Sequence, residues 1–352
     1  TTTAVSFSGA LSSTTYNWTN NATSIGLAAS GAGDIAAFTA TNAGTTPVTA
    51  TITVTPVKAG CTGVAGAFTI TVNPTPTVNT VSNQTLCAGA STTAVAFGGA
   101  LTGTTYNWTN DATSIGLASS GTGDIPSFTG TNTGSSPITG TITVTPVKAG
   151  CAGTPRSFTI TVNPIPTVDN ISNQTVCAGA STTAVAFSGA VSGTAYSWTN
   201  NNTSIGLAAS GTGNIPAFTA TNGGTTQATA TITVTPARAG CAGTPKTFTI
   251  SVDPTPTVNT VSNQSLCAGV ATTAVAFSGA LGGTTYNWIN DNASIGLAAA
   301  GTGDIASFTA TNTGITPVVA TITVTPVRGS CAGASTSFTI TVGPPPTVNT
   351  IS

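Results

Sequence analysis

The stretch Thr14-Thr15-Tyr16-Asn17-Trp18-Thr19-Asn20, continued by Ser24-Ile25-Gly26-Leu27, returns around Tyr106 and Trp108, around Tyr196 and Trp198, and around Tyr286 and Trp288. Trp18 to Trp108 is a step of 90 residues, and the later steps are the same, with no insertion or deletion. Self-similarity at a fixed period decides the architecture before any local reading does. This period is too long for a solenoid unit and suits one small β domain with its own core. All four Trp and all four Tyr fall in this stretch. Tyr16 and Trp18 are two apart, so a strand points both to one face and Asn17 to the other. The pattern predicts a central sandwich strand carrying a buried aromatic anchor, repeated as Tyr106 with Trp108, Tyr196 with Trp198 and Tyr286 with Trp288.

Outward from that strand the repeat reads as short strands and turns. Val5, Phe7, Gly9 and Leu11 share one face of a strand over Thr3 to Leu11, and Phe38-Thr39-Ala40-Thr41 begins another. Gly31-Ala32-Gly33-Asp34 and Gly60-Cys61-Thr62-Gly63 read as loops. Val48, Ala50, Ile52 and Val54 alternate with Thr49, Thr51, Thr53 and Thr55, the cleanest period-2 signal in the repeat. Pro56 is expected to end that strand or place it at an edge. Phe68, Ile70 and Val72 make the last strand. Asn73-Pro74-Thr75-Pro76-Thr77 and its counterparts at 163, 253 and 343 read as extended, semi-rigid linkers. Residues 78 to 86, with Val78, Val81 and Leu86, open the next repeat.

The fold class is therefore all-β: a tandem array of immunoglobulin-like β-sandwiches joined by short Pro-rich linkers. The expected domains are 1–74 (without its first strand), 75–164, 165–254 and 255–344, with 345–352 beginning a fifth.

Composition removes several function classes. The 352 residues hold six Lys and Arg, seven Asp, no Glu, no His and no Met. No basic patch is available to neutralise phosphates, so nucleic acid is not an expected partner. No apolar run approaches the roughly 18 to 20 residues of a spanning helix, so no membrane insertion is expected. Without His or Glu, general acid–base chemistry falls to a few turn Asp residues, and no nucleophile has a base beside it. The chain reads as no enzyme, with no cofactor and no metal.

The run Cys177-Ala178-Gly179, Val185-Ala186-Phe187-Ser188-Gly189, Tyr196-Ser197-Trp198-Thr199-Asn200-Asn201, Ser204-Ile205-Gly206-Leu207 and Gly211-Thr212-Gly213-Asn214-Ile215-Pro216, with Asn222, carries a family resemblance. It continues through Ile232-Thr233-Val234-Thr235-Pro236, Cys241-Ala242-Gly243-Thr244-Pro245 and Phe248-Thr249-Ile250. The sequence resembles the PKD-like, immunoglobulin-like repeats of very long Bacteroidota surface proteins, gliding adhesins among them. The resemblance covers the whole chain. It implies secretion by the type IX system and display on the cell surface.

Seven cysteines keep the same ruler: Cys61, Cys151, Cys241 and Cys331 in one series, Cys87, Cys177 and Cys267 in the other. Two connectivities stand open from sequence alone. The favoured one is intradomain, Cys87–Cys151, Cys177–Cys241 and Cys267–Cys331, because a small domain needs its own staple. Cys61 then seeks a partner outside the chain. The rival joins Cys61 to Cys87 across a linker. The odd count reads as an effect of where the window is cut. Ser352 aligns with Ser82, and the tail lacks the segment matching Gln84 to Ala90. One continuous polypeptide longer than 352 residues is thus expected over strand exchange between chains, since a lent tail without that segment brings no cysteine to Cys61.

Other motifs have plainer readings. Asp34, Asp124 and Asp304, with Asn214 in the third copy, suit a structural turn better than a calcium site, which needs several carboxylates. The Asn-x-Thr/Ser sequons headed by Asn83, Asn173 and Asn263 suit an Asn/Thr-rich composition. The Thr rows suit the solvent side of strands. The expected function is structural: an extended rod in an extracellular adhesin or filament, whose partners are neighbouring repeats of the same array or fibre. The rival is a multivalent module in which the repeats bind surface polysaccharide.

Overall fold

The computed structural model describes residues 1–345, so the expected start of a fifth repeat at 345–352 lies, but for its first residue, outside the described part. Two compact units form: Thr1–Ile165 together with Ala239–Cys241, and Pro166–Arg238 together with the residues from Ala242 on.

In the first unit, repeat 1 contributes β1 (Thr15–Asn20), β2 (Ser30–Ala32), β3 (Val48–Lys58), β4 (Cys61–Thr62) and β5 (Gly66–Val72). Repeat 2 contributes β6 (Gln84–Cys87), β7 (Thr105–Asn110), β8 (Ser120–Thr122), β9 (Ile138–Lys148), β10 (Cys151–Ala152) and β11 (Arg156–Asn163). Its sheet runs β6-β11-β9-β7-β8, with β10 beside the far end of β9. Repeat 1 builds the same sheet without a counterpart of β6. In the second unit, Gln174–Asp253 and Gln264–Gly343 repeat the six-stranded plan. Among the described residues the strand pairings are antiparallel except β6 on β11 and its two counterparts, which are parallel.

The Val/Thr alternation becomes the central strand. Ile142 and Val144 of β9 point into the core, while Thr141 and Thr143 face outward. Pro146 does not end this strand, and neither does Pro56 in repeat 1. The backbone continues to Lys148 with Pro146 opposite Tyr106. The reason is a gap in the ladder. Pairing with β11 ends at Val144, pairing with β10 begins at Val147, and the Pro146 carbonyl between them accepts from Gly153 N–H at 2.8 Å. The missing N–H faces that same gap, where no strand asks for it.

Each sheet packs its aromatic strand against one hydrophobic cluster per repeat. The four Trp are alike at 7% exposure. Tyr106 and Tyr286 are also buried, whereas Tyr16 and Tyr196 are half-buried. Trp108 lies across Gly121 of β8, its partner in register, and any Cβ there would collide with the indole. Gly31, expected in a loop, is the same floor for Trp18 within β2.

The layer facing the sheet is less regular than the sequence suggests. Thr3 to Leu11 and Phe38 to Thr41 are not full strands; the first holds only an isolated bridge, from Val5 to Ile35. Side chains replace part of the ladder. Thr2 Oγ1 accepts from Phe38 N–H at 3.0 Å, and Asp34 Oδ1 accepts from Phe7 N–H at 2.8 Å. Ser24 to Leu27 contains a 3-10 turn over Thr23–Ile25, closed by Gly26 at φ 88°. Asn20 is buried beneath it. Its amide donates to the Leu27 carbonyl at 2.9 Å and its Oδ1 accepts from Ala22 N–H at 2.9 Å. A buried amide satisfied on both sides holds a turn without a ladder.

Candidate functional site

Where one repeat couples to the next, two features stand out: the cysteines and the seat of the linker. Cys87 ends β6 opposite Asn163, at the edge of the sheet where β9 begins with Ile138. Cys151 opens β10 opposite Lys148, at the other end of β9. Ten residues of extended strand separate those ends, roughly 33 Å. A disulfide needs its Cα atoms within about 7 Å, so one repeat cannot bridge its own pair.

The expected intradomain pairs Cys87–Cys151, Cys177–Cys241 and Cys267–Cys331 are accordingly not formed, and neither is Cys61–Cys87. The bonds are Cys87–Cys241 and Cys177–Cys331, each with Cα atoms 5.6 Å apart and a sequence separation of 154. The first-strand cysteine of one repeat therefore joins the hairpin cysteine of the following repeat. Cys61, Cys151 and Cys267 carry free thiols, with Cys61 and Cys267 exposed.

A tight hairpin presents the second cysteine. Ala59 and Gly60, between β3 and β4, have φ 47° and 84°. Positive φ at both central residues is the sign pattern of a type I′ turn, whose twist matches the flanking strands. Ala149-Gly150 and Ala239-Gly240 repeat it. In the first unit the Lys148-Ala149 tip of repeat 2 reaches Thr45, Pro47, Asn73 and Pro74 of repeat 1, across a cavity of about 50 Å³.

The linker has a built seat in the repeat that follows it. Pro76 passes Gly153 and Thr77 passes Gly99 so closely that a Cβ on either glycine would strike their carbonyls. Thr77 Oγ1 accepts from Ala100 N–H at 3.0 Å, and Asn79 N–H donates to the Gly98 carbonyl at 2.7 Å. Val78 enters the core at 4% exposure, and Leu101, the counterpart of Leu11, is also 4% exposed. Repeats 3 and 4 reproduce the seat. Ala190 N–H donates to Thr167 Oγ1 at 3.0 Å and Ala280 N–H to Thr257 Oγ1 at 2.9 Å, while Gly243 and Gly333 crowd Pro166 and Pro256. A second anchor follows: Asn83, Asn173 and Asn263 accept from the N–H of Thr159, Thr249 and Thr339, each at 2.8 Å. The sequon asparagines thus fasten the start of a repeat to its last strand.

In repeat 1 the same seat is an open cavity of about 400 Å³, lined among others by Gly9, Leu11, Tyr16, Lys58, Cys61 and Gly63. Leu11 is 64% exposed there.

Asp34, Asp124, Asn214 and Asp304 each accept the N–H of a Phe, at Phe7, Phe97, Phe187 and Phe277, at 2.8 to 2.9 Å. Asn serves in this bond as well as Asp, so charge is not what the position requires. No group of three metal-ligating side chains occurs among the described residues. No helix there is long and apolar enough to cross a membrane.

The PKD-like domain family matches residues 174–256. This window holds the second-unit sheet of repeat 3 together with the linker that leaves it. No curated protein matches the chain. Among solved structures, the chain is similar to mouse cadherin-23 repeats EC22-24 at 13% identity, with 77% of this chain and 100% of that one covered and a TM-score of 0.35. Drosophila N-cadherin EC1-4 matches at 10% identity over 97% and 94%, TM-score 0.31. Sidekick-1 immunoglobulin domains 1-5 match at 13% identity over 94% and 74%, TM-score 0.32. The architecture is a tandem array of immunoglobulin-like, PKD-like β-sandwich domains.

Proposed function

We propose that the chain is the repeat region of an extracellular surface adhesin or filament, and that its task is mechanical: to form an extended, semi-rigid rod. The domains are 1–74, 75–164, 165–254 and 255–344. The observation that supports this is the 154-residue disulfide spacing, which puts every staple between successive repeats and none within one. A cross-link inside a domain stabilises that domain. One between domains, added to a linker seated against glycine, restrains the hinge. Disulfides of this kind persist in oxidising surroundings, in keeping with a secreted protein. The resemblance to gliding-adhesin repeats fits the same role and suggests type IX export in a Bacteroidota cell. In repeats 2 to 4 the seat is filled by the chain's own linker, so the partners on this reading are other repeats.

Small-angle X-ray scattering on the oxidised and reduced chain tests the reading. The oxidised protein should scatter as an elongated particle, and reduction should broaden its distance distribution without unfolding the sheets. A compact particle in both states would refute the rod.

A further inference from the structure

We propose that this array bears tension, and that its interleaved staples set a ceiling on how far it lengthens when its repeats are pulled open. The proposal rests on the tandem-coupling reading above. Its first support is the way repeat 3 is tied at both ends. Upstream, the incoming linker and the staple meet: a Cβ on Gly243, two residues from Cys241, would strike the Pro166 carbonyl. Downstream, Cys177 stands opposite Asp253 where Gln174–Cys177 pairs in parallel with the last strand, Lys246–Asp253. There Ala178 N–H donates to the Asp253 carbonyl at 2.9 Å, and the hydroxyl of Thr255 in the outgoing linker donates to the Ala178 carbonyl at 2.8 Å. Each end is held twice, once by a linker and once by a disulfide. Between the ends runs the last strand, with only Cys241–Ala242 and a short loop separating it from the upstream staple. A strand is close to the reach of its own backbone, so it yields little length under a pull. The aromatic strand, Ala195–Asn200, lies off this line, on the far side of Ala228–Arg238.

The second support, independent of those contacts, is the order of the bonded cysteines along the chain. Each staple spans 154 residues against a period of 90, so the loops 87–241 and 177–331 overlap over residues 177–241. Staples without overlap act one after another, whereas interleaved staples act together. From Cys87 to Cys331 the backbone runs 244 residues. The shortest covalent route crosses one disulfide to Cys241, runs back along 64 residues to Cys177, and crosses the other disulfide. Fully unfolded at about 3.3 to 3.6 Å per residue, that route reaches about 210 to 230 Å, against about 800 to 880 Å for the bare backbone. With every core between the staples lost, the stapled array keeps about a quarter of the reach of the unstapled one.

The test stretches the full chain in optical tweezers by tags at its two ends. Cys61→Ser, Cys151→Ser and Cys267→Ser leave the four stapled cysteines as the sulfhydryl chemistry of the sample. Contour length is read after every repeat has opened. Adding Cys241→Ser or Cys331→Ser leaves one staple, and adding both leaves none. Relative to the chain with none, one staple should shorten the contour by about 500 to 550 Å and two by about 590 to 650 Å. The small second decrement, about 90 Å, is the mark of overlapping loops. Two equal decrements that add, or a stapled chain as long as the unstapled one, would each overturn the proposal. Scattering reads the rod in the absence of force, and contour length reads the ceiling whether or not the relaxed particle is elongated, so the two ideas fail independently.

Discussion

Repeats 1 and 2 share their sheet plan and nearly their sequence, and differ in whether a linker occupies the seat. Leu101 is sealed in repeat 2 while Leu11 lies mostly in water in repeat 1. Phe158, Ile160 and Val162 of β11 are buried, while Phe68, Ile70 and Val72 of β5 are only partly so, since no counterpart of β6 lies beside them. The difference teaches that the linker is not a spacer between finished domains. It is the last piece of the domain it leads into, and burying one leucine of this kind is worth about 1.5 to 3 kcal/mol.

The comparison breaks first if the two cores differ for reasons remote from the seat. Trp18 and Trp108 are equally buried and each lies across its own glycine. Trp18→Ala and Trp108→Ala should therefore destabilise their repeats alike, by about 3 to 5 kcal/mol. Hydrogen exchange followed peptide by peptide reads each repeat separately. A loss under about 1 kcal/mol for either would mean an exposed ring rather than a core anchor.

Next in size is the leucine itself. Leu101→Ala should cost about 2 to 4 kcal/mol, as in other close-packed cores. Leu11→Ala should stay within about 0.5 kcal/mol, as for a surface side chain. Equal costs, measured in dilute protein, would show that repeat 1 closes its seat without a linker.

The glycines sharpen the point further. Gly99→Ala drives a methyl into the Thr77 carbonyl, whereas at Gly9 the nearest neighbour is only the Tyr16 hydroxyl. The first should cost about 1 to 3 kcal/mol and release the linker, making repeat 2 resemble repeat 1. The second should cost less, because a hydroxyl facing an open cavity moves aside. Faster exchange at Asn79 N–H in the Gly99→Ala variant would report the released linker.

Much of this fold was legible in the sequence, for reasons that also explain what was not. The period, the aromatic strand and the Val/Thr strand follow from side-chain alternation, which sequence displays directly. The role of Gly31 and Gly121 was hidden, because a glycine under an indole and a glycine in a turn look the same in one dimension. The cysteine pairing was hidden more deeply. The repeat seemed to need its own staple, and only the strand order shows that its two cysteines sit at opposite ends of β9. The seat was half legible: the alternating prolines marked a stiff linker, but not that Pro76 and Thr77 press on glycines some 80 and 20 residues away, respectively.

The smallest expected effect comes from a phenol that touches the seated linker. Tyr196 Oη donates to the Thr167 carbonyl at 3.4 Å, and Asp169 follows just after the same linker. Its acidity is weakened. Burial pushes the phenol above the ordinary tyrosine value of 10.0, the Asp169 carboxylate pushes the same way, and the hydrogen bond with Thr194 opposes both. A folded-state pKa above the unfolded one means the native protein holds this proton more tightly. Its contribution to stability is whole below pH 10.0 and is lost as the pH rises through the folded value. Asp169→Asn removes one of the two raising causes, so Tyr196 should titrate lower than in the parent yet still above an unfolded tyrosine. Gly189→Ala, which displaces Thr167 from the seat, should bring it closer to the unfolded value by removing burial as well. Carbon-13 labelling of the tyrosine rings, followed by NMR through the alkaline range, resolves this residue from the other three. An unchanged Tyr196 titration in the Gly189→Ala variant would mean that the linker does not bury this phenol, and that the open and filled seats differ less than their geometry indicates.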